Sequence, residues 1–520
     1  MKNEKMASHF LLGSLVLYLI PSLLGGFIEG FDKVLVPRYA LYIILTVFLL
    51  LSMKKDFRYS FSTFFSSTKP DSWNLKFWLL SLVPLFIYIK VLYLNYYNFH
   101  VSDVDFSYFD LMISNFTKGK GWFSEACECD HMAVHSTYWF YFLAPFHALF
   151  SSALFLQTVH ALSLWAALFP IRRLSKFAGL SNREVLLIPF FFSAYTFFIH
   201  ILRYNFHFEV FYLPFMLWML YFYKSERLLL FSLFAVFTLL VKEDAGFYLI
   251  CFSAYSLFFD KRPKEGLILC ALSLIITMFS LKYYIPLHRG GNYVIAGTAT
   301  KYGSSFSEII RNALTSPRAL FMDIIKGGWI KVSLSLAFLP LFSTGFWISC
   351  ASLIFIHSIA SSPLMSGLRL YYSAPFLPFL IYFYFESLGS SKIKLIKEKK
   401  GSILVATFFI GTLLGGGFVK FEAPKEEYTV LHRFLKEGRL SGKRSCVQGS
   451  LVPHIGYDSV LTSLRFCDFD KYTYDYVILN PKLESYPVSP QKVRDFISRL
   501  SEEKKYQLEK KGTFVIFKSL

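Results

Sequence analysis

The sequence predicts a mostly α-helical, polytopic membrane protein that carries a small α/β domain at its C-terminal end. Three observations support this fold class. The 520 residues are 54% hydrophobic and only 17% charged, whereas soluble domains carry roughly 25% charged residues. Apolar runs recur along the chain, with basic clusters between them. After residue 419 the composition changes to alternating helix-like and strand-like patterns.

The apolar runs predict about thirteen spans, because roughly 20 helical residues cross the hydrocarbon core. Continuous apolar runs indicate helices, which satisfy their own backbone in lipid. The predicted spans are residues 10–30, 37–53, 75–97, 153–170, 185–201, 208–223, 228–241, 246–259, 265–285, 329–345, 346–361, 370–388 and 401–419. More spans follow the first one, so it is interpreted as an anchor and not as a cleaved signal peptide.

Basic residues set the predicted orientation. With a cytoplasmic N-terminus, all five clusters fall on the cytoplasmic side, as the positive-inside rule requires. They begin at Lys54, Arg172, Lys224, Lys261 and Lys392. The net charge of +19 is therefore a topology signal, and we expect no nucleic acid partner. The predicted location is the inner membrane.

This orientation gathers the unusual polar residues on one side. Residues 136–150 are predicted to form a juxtamembrane helix in the outer interface, where Tyr and Trp are common. The outward segments are then residues 98–152, 202–207, 242–245, 286–328, 362–369 and everything after 419. We therefore expect any chemistry to occur at the extracytoplasmic surface.

The first large outward loop contains three candidate catalytic carboxylates. Asp103 and Asp105 form a D-x-D pair directly after a span, and such a pair can hold a divalent cation (Mg or Mn) or a substrate hydroxyl. Helix capping is the alternative, because an aspartate suits a helix N-terminus. Asp110 lies about one turn further along, facing either the same site or solvent.

The same loop continues with the run Cys127–His131 and ends near His135. His131 and His135 have the i,i+4 spacing of some metal ligands. A single C-x-C motif is unspecific, so a disulfide or ordinary loop chemistry is equally compatible with the pattern. We predict a substrate-binding or phosphate-contacting role for His135.

His207 and Glu209 stand at an outer membrane boundary, and both are predicted to bind substrate. Ionisable groups at the edge of a span are costly to place there, which favours a functional role. Arg203 and Tyr204 beside them are interpreted as interfacial anchors.

Four further outward positions complete the predicted substrate site. Lys242, Glu243 and Asp244 form a charged triplet between two short spans. The triplet is either a solvated turn or a turn that dips into the site, with Lys242 contacting phosphate. Arg289 lies in a long Gly-rich loop, and Arg369 ends a short outward turn.

Residues 420–520 are predicted to form a soluble extracytoplasmic α/β domain, separate from a transmembrane domain of residues 1–419. Residues 426–438 and 491–505 have helical patterns, residues 445–456 and 474–480 look like buried strands, and residues 506–518 look like a hairpin. Cys446 and Cys467 either pair in an oxidising compartment or remain reduced in the core.

Several motifs resemble a family of predicted polytopic membrane proteins of unknown function. They are Tyr108–Gly121, His135–Phe150, Phe206–Glu209, Leu240–Gly246 and Leu368–Phe379. The motifs VPHIG and YDYVILN in the C-terminal domain are also similar to that family, whereas the first two spans look like an addition to it.

The layout is more distantly similar to the GT-C superfamily of membrane glycosyltransferases. That resemblance implies a polyprenyl-phosphate-linked sugar donor and an acidic residue in the first loop, corresponding to Asp105 or Asp103. The family's own aspartate corresponds to Asp110. A loop carboxylate would act as general base, and Lys242, Arg289 or His207 would hold the phosphate. A transporter or flippase and a non-catalytic envelope scaffold are the alternative functions.

Overall fold

The computed structural model describes residues 72–101, 105–291, 300–413, 425–483, 488–511 and 513–520. The predicted spans 10–30 and 37–53, Asp103 and the predicted domain boundary at residue 419 lie outside the described residues. Within them, a helical part is followed by a mixed α/β domain, as the fold class predicts.

Among the described residues between 72 and 413, the regular structure is helical, apart from one two-stranded hairpin and short 3₁₀ and π turns. They are α1 Ser72–Tyr97, α2 Phe106–Thr117, α3 Trp139–Phe150, α4 Ala153–Ala166, α5 Leu168–Phe177, α6 Asn182–Val185, α7 Ile188–Ser193, α8 Thr196–Arg203, α9 Tyr212–Lys224, α10 Leu228–Leu239, α11 Ala245–Phe258, α12 Pro263–Phe279, α13 Ile285–Arg289, α14 Phe306–Thr315, α15 Pro317–Ile325, α16 Trp329–Leu334, α17 Thr344–Ser349, α18 Ala351–Ser358, α19 Pro363–Ser366, α20 Leu377–Ser390, α21 Lys394–Glu398 and α22 Lys400–Leu413.

Four helical stretches among the described residues are long and apolar enough to cross a membrane. They are Asn74–Tyr97, Ala153–Phe177, Asn182–Arg203 and Pro263–Arg289. Shorter apolar helices accompany them at Trp139–Phe150, Leu228–Leu239, Ala245–Phe258 and Lys400–Thr412. The structure thus has the apolar helices of a membrane protein, and the count of thirteen spans stays a prediction.

The helix α3 occupies the place predicted for a juxtamembrane helix. Its exposed side chains include Phe142, Phe146, Leu149 and Phe150, and these large apolar groups would be unfavourable in water. Pro145 lies inside the helix. The exposed apolar face is the one expected of a helix that lies in a membrane interface.

The C-terminal domain is built on a five-stranded sheet. Its elements are α23 Glu426–Lys436, β3 Arg444–Val447, β4 Val460–Ser463, β5 Tyr476–Leu479, α24 Pro490–Glu502, β6 Tyr506–Lys511 and β7 Phe514–Ser519. The strand order is β4-β3-β5-β7-β6. Strands β4, β3 and β5 are parallel, and β7 is antiparallel to both β5 and β6. Helices and hairpin follow the sequence prediction, and β4 is an element that it lacked.

Both pairs of loop cysteines are disulfide-bonded. Cys127 bonds Cys129 at the end of the hairpin formed by β1 (Phe123–Ser124) and β2 (Cys129–Asp130). Cys446 in β3 bonds Cys467. Of the alternatives that the sequence left open for each pair, the structure has the bonded one.

The C-terminal domain packs directly on the helical part. Phe99, which is fully buried, stacks on His432 with ring centroids 4.4 Å apart. The Tyr96 hydroxyl donates to the Pro453 carbonyl at 3.1 Å, and the Ser107 hydroxyl donates to the Gly449 carbonyl at 2.9 Å. Apolar side chains of the two parts share one buried cluster. The first loop is therefore enclosed between the spans and the sheet domain.

A close approach of α11 and α12 fixes the turn that carries the charged triplet. A Cβ on Gly246 would lie 1.8 Å from Thr277 Oγ1 and 3.1 Å from the Ser273 carbonyl oxygen. The Thr277 hydroxyl in turn donates to the Glu243 carbonyl at 3.5 Å. Because the glycine lets the helices touch, the turn before α11 is held against α12.

Candidate functional site

The structure brings several sequence-predicted residues from four separate loops into one group of ionisable side chains. We call this group the central polar cluster, and it contains Asp105, His135, Tyr204, His207, Glu209, Lys242, Glu243 and Asp244. Its members come from the loop before α2, the loop before α3, the α8–α9 connection and the α10–α11 turn. Almost all of them are buried or half-buried.

Asp105 lies at the N-terminal end of α2 and accepts a hydrogen bond from the Tyr204 hydroxyl. Its Oδ2 atom is 3.9 Å from Nε2 of His207. Burial raises the pKa of Asp105 above its ordinary value, and the Tyr204 hydrogen bond and the charges of His135 and Lys242 oppose that rise. A carboxylate whose basicity is increased in this way suits proton abstraction.

His207 is held in one orientation by two contacts. Its Nδ1 atom accepts the backbone N–H of Glu209 at 3.4 Å, which leaves Nε2 to carry the proton on the side of Asp105. Its ring stacks on Tyr371, with centroids 3.6 Å apart and planes 8° apart. Burial lowers the pKa of His207, and Lys242 lowers it further, so the ring is neutral and its Nε2–H is available to a hydrogen-bond acceptor.

Lys242 is the buried cation of the central polar cluster, and two carboxylates surround it. Its Nζ atom is 2.8 Å from Glu209 Oε1 and 3.3 Å from Asp244 Oδ2. Burial acts to lower the pKa of Lys242, but Asp244, Glu209 and Glu243 together raise it well above the ordinary value. The lysine therefore keeps its charge, and that charge is already compensated.

Asp244 also accepts hydrogen bonds from two tyrosine hydroxyls. Tyr212 donates to Oδ1 at 2.7 Å, and Tyr248 donates to Oδ2 at 2.9 Å. Tyr248 lies four residues after Asp244, one helical turn along α11. Hydrogen-bonded charge networks of this kind hold their members in a defined geometry.

Glu243 joins the triplet to the first loop. Its Oε1 atom is 2.7 Å from His135 Nδ1, and Oε2 accepts the backbone N–H of Ser136 at 3.0 Å. Burial pushes the pKa of Glu243 upward, but the charge and hydrogen bond of His135, together with Lys242, outweigh it and lower the pKa to about 2. Glu243 is thus an ionised anchor for the segment that leads into α3.

Asp110 is directed away from the central polar cluster and takes part in a second buried group. Its Oδ1 atom is 3.0 Å from His147 Nε2 and accepts the Tyr457 hydroxyl at 3.0 Å. Asp110 is fully buried, and His147 is 1% exposed. Because Tyr457 belongs to the C-terminal domain, the group connects α2 and α3 to that domain.

A cavity of about 370 Å³ opens beside Tyr457, between the start of α4 and the C-terminal domain. Its lining includes Ser152, Lys436, His454 and Asp458. The cavity lies on the Asp110 side of α2 and contains no member of the central polar cluster.

Arg369 and Arg289 occupy different surroundings. Arg369 is exposed directly before the 3₁₀ turn Leu370–Ser373, whose Tyr371 stacks on His207. Arg289 is exposed at the end of α13, and the described contacts join it to no member of the central polar cluster. Its neighbour His288 bonds Asp130 at 3.1 Å.

The predicted divalent-cation site is not tested by the described residues. They include no group of three or more His, Cys, Asp or Glu side chains arranged to hold a metal ion. Asp103, one of the two predicted ligands, lies outside them. The D-x-D cation site therefore stays a prediction.

Sequence reasoning did not identify the tyrosines of the site. Tyr204 was interpreted as a membrane anchor but bonds Asp105, and Tyr212 lies in a predicted span. The i,i+4 spacing of Asp244 and Tyr248 is a pattern from which that contact could have been inferred. Tyr371 gives no comparable indication, because its partner His207 is distant in sequence.

Comparison with known proteins gives a family match. A family model described as a predicted membrane protein (DUF2079) matches residues 95–420, which contain every described member of the central polar cluster. No curated protein matches the chain.

Proposed function

The chain belongs to this DUF2079 family of predicted membrane proteins, and from that premise we propose that it is a membrane glycosyltransferase. It moves a hexosyl or pentosyl group from a polyprenyl-phosphate-linked donor to an acceptor hydroxyl on a lipid, glycan or protein. In this proposal the N-terminus is cytoplasmic, the C-terminal domain is extracytoplasmic, and the membrane is the inner membrane.

The single observation that carries the proposal is the environment of Asp105. A half-buried carboxylate with a raised pKa lies at the end of a loop helix, directly beyond the end of an apolar helix of spanning length. A neutral imidazole, His207, faces it at 3.9 Å. General bases are tuned by burial in this way.

The reaction assigned to this site is a substitution at the anomeric carbon of the donor sugar. Asp105 accepts the proton of the acceptor hydroxyl as the acceptor oxygen forms its bond to the anomeric carbon. The bond between that carbon and the phosphate oxygen breaks, and its electron pair leaves with the polyprenyl phosphate. Neutral His207 donates a hydrogen bond near the reacting groups.

The remaining charges of the central polar cluster hold this geometry. Glu243 fixes His135 and the backbone of Ser136, while Glu209 and Asp244 enclose Lys242. Placement beside the spans also supports the proposal, because a lipid-linked donor needs an apolar environment for its tail and a polar one for its sugar.

Sugar transfer by the Asp105→Asn variant tests the proposal. We expect a loss of about 10²–10⁴-fold in transfer rate, the usual contribution of a general base, at unchanged membrane expression. The assay follows labelled sugar from a panel of hexosyl and pentosyl polyprenyl-phosphate donors in purified membranes, and glycolipid profiling of a deletion strain narrows the panel.

Asp130→Asn is the matched control, since it makes the same substitution in the same loop at a half-buried carboxylate paired with His288. Transfer by that variant is expected to stay near the wild-type rate. Full activity in Asp105→Asn, and equally in Asp103→Asn and Asp110→Asn, removes the catalytic proposal.

A further inference from the structure

Three exposed cations lie near one histidine in the last turn of α8. The side chains of Lys331, Arg203 and Arg369 are close enough to His200 for their charges to act on its ring. All three are exposed, and among the described residues none forms an ion pair with a carboxylate. We call Arg203, Lys331 and Arg369 the basic patch.

Backbone packing brings the basic patch together. The Gly328 N–H donates to the Ser366 carbonyl at 2.8 Å, and a Cβ on Gly328 would lie 2.2 Å from the backbone of Gly367. Lys331 follows Gly328 by three residues, about one turn of α16, and Arg369 follows Gly367 by two residues. The end of α8 packs on the turn Leu370–Ser373. Because Arg203 is the last residue of α8, this packing brings Arg203 to the same surface.

The basic patch borders the central polar cluster. Arg203 precedes Tyr204, whose hydroxyl bonds Asp105. Arg369 is two residues before Tyr371, which stacks on His207 and lies 4.7 Å from the Tyr204 ring. Two residues of the basic patch are therefore close in sequence to aromatic residues that contact Asp105 and His207.

The helix that precedes Lys331 in the sequence, α15, carries an exposed apolar surface. In α15, which leads through a short Lys-Gly-Gly turn into α16, the side chains of Phe321, Met322 and Ile325 are 61%, 39% and 41% exposed. The acidic residue of α15, Asp323, is paired with Lys301 at 2.8 Å. Uncovered apolar surface and a cation of the basic patch, Lys331, thus occur in consecutive helices.

We propose that the basic patch binds the phosphate group of a single-chain lipid phosphate, with the apolar chain directed along α15. Guanidinium and ammonium groups are the usual ligands of phosphate. The proposal rests on the proposed function, in which a polyprenyl phosphate must leave with its charge compensated. Lys242 does not supply that charge, because Glu209 and Asp244 already compensate it.

Binding of polyprenyl monophosphate to the full-length protein in lipid nanodiscs tests the proposal. The variants are Arg203→Gln, Lys331→Gln and Arg369→Gln, singly and combined. We expect each to weaken binding about tenfold or more, since a hydrogen bond to a charged group contributes on that scale. Arg311→Gln is the matched control, because it removes an exposed cation of α14 that lies outside both the basic patch and α15. This variant should bind as the wild type does.

Two competitors identify the ligand class. Uncharged polyprenol should bind weakly and equally to all variants, because it lacks the phosphate. Inorganic phosphate should compete only at far higher concentration than the lipid phosphate. Equal affinity for inorganic phosphate overturns the lipid assignment, and unchanged lipid-phosphate affinity in the combined variant overturns the basic patch as the site.

The test separates this proposal from the proposed function. Loss of lipid-phosphate binding in the basic-patch variants, with full sugar transfer by Asp105→Asn, upholds the binding site and rejects the transferase mechanism. Normal binding in those variants, with transfer lost in Asp105→Asn, does the reverse. Size-exclusion profiles matching the wild type establish that the exposed substitutions leave the protein folded.

Discussion

Replacing Lys242 by methionine should destabilise the protein strongly, because it would leave buried Glu209 and half-buried Asp244 without their cation. The Lys242 side chain is 14% exposed, and its partners Glu209 and Asp244 are 3% and 23% exposed. Removing one member of a buried ion pair costs about 3–5 kcal/mol. Partial exposure of Asp244 places the expected loss near the lower value, about 3 kcal/mol.

The measurement is the free energy of unfolding in a denaturing-detergent titration of the purified protein. Lys301→Met is the matched control, because the Lys301–Asp323 pair has the same 2.8 Å separation but side chains that are 43% and 23% exposed. Such a pair contributes about 0–1 kcal/mol. The double variant Lys242→Met with Glu209→Gln should regain more than half of the loss, because one of the two uncompensated charges is then absent.

A Lys242→Met variant whose free energy of unfolding is within about 1 kcal/mol of the wild-type value would refute this reasoning. That result would mean that Lys242 is not needed to balance Glu209 and Asp244 and is available to bind substrate. The double variant would then be stable but would bind the lipid-linked donor more weakly, and Lys242 would again be the candidate phosphate ligand.

Three further predictions follow from the geometry. Tyr457→Phe removes a hydrogen bond to buried Asp110 and should lower the free energy of unfolding by about 1–3 kcal/mol. Limited proteolysis should then release the C-terminal domain faster, and an unchanged cleavage rate contradicts the role of the contact. Gly246→Ala should destabilise the protein by about 1–3 kcal/mol through overpacking, because the new Cβ meets Thr277. Thermal unfolding measures this loss, and a variant as stable as the wild type shows that the helices separate freely. Burial raises the pKa of Asp105, and a base must be deprotonated, so kcat/KM should fall as pH decreases through a value above ~3.9; an acidic limb below that value argues against Asp105 as the base.

The sequence predicts the residues of the central polar cluster better than it predicts their partners. Span boundaries and basic clusters suffice to place His207 and Lys242 in neighbouring loops. They do not determine that Lys242 pairs with Glu209, because a charged triplet offers the same charges to any neighbour. The pairing depends on how the α8–α9 connection and the α10–α11 turn pack together in three dimensions, which the sequence pattern does not give.

Asp110 shows what helical periodicity leaves open. Asp105 and Asp110 are five residues apart, about 140° around a helix, and the sequence leaves Asp110 facing either the same site as Asp105 or solvent. The structure shows neither, because Asp110 is buried against His147 and Tyr457. The contact of Tyr457 with Asp110 could not be predicted, because no local sequence pattern indicates which distant residue packs against a given helix face.

Lys331 is a residue that sequence reasoning passed over. It lies near the start of the predicted span 329–345, and a lone cation in a span is itself a reason to expect a functional role. Arg203 was interpreted as an interfacial anchor for the sound reason that it ends a span. Lys331 comes near Arg369 through the contact of Gly328 with Gly367, and Arg203 joins them through the packing of α8 on the turn Leu370–Ser373. Periodicity reveals neither contact.

The helix α2 depends on contacts with residues that are made very late in synthesis. Asp110 bonds Tyr457, 347 residues further along the chain, and Ser107 bonds Gly449, 342 residues further along. At about 5–20 residues per second, translation reaches those partners roughly 20–70 s after α2 has been made. Until then Asp110 lacks its hydrogen bond from Tyr457. The loop that carries Asp105 therefore completes its packing only after the C-terminal domain has been synthesised.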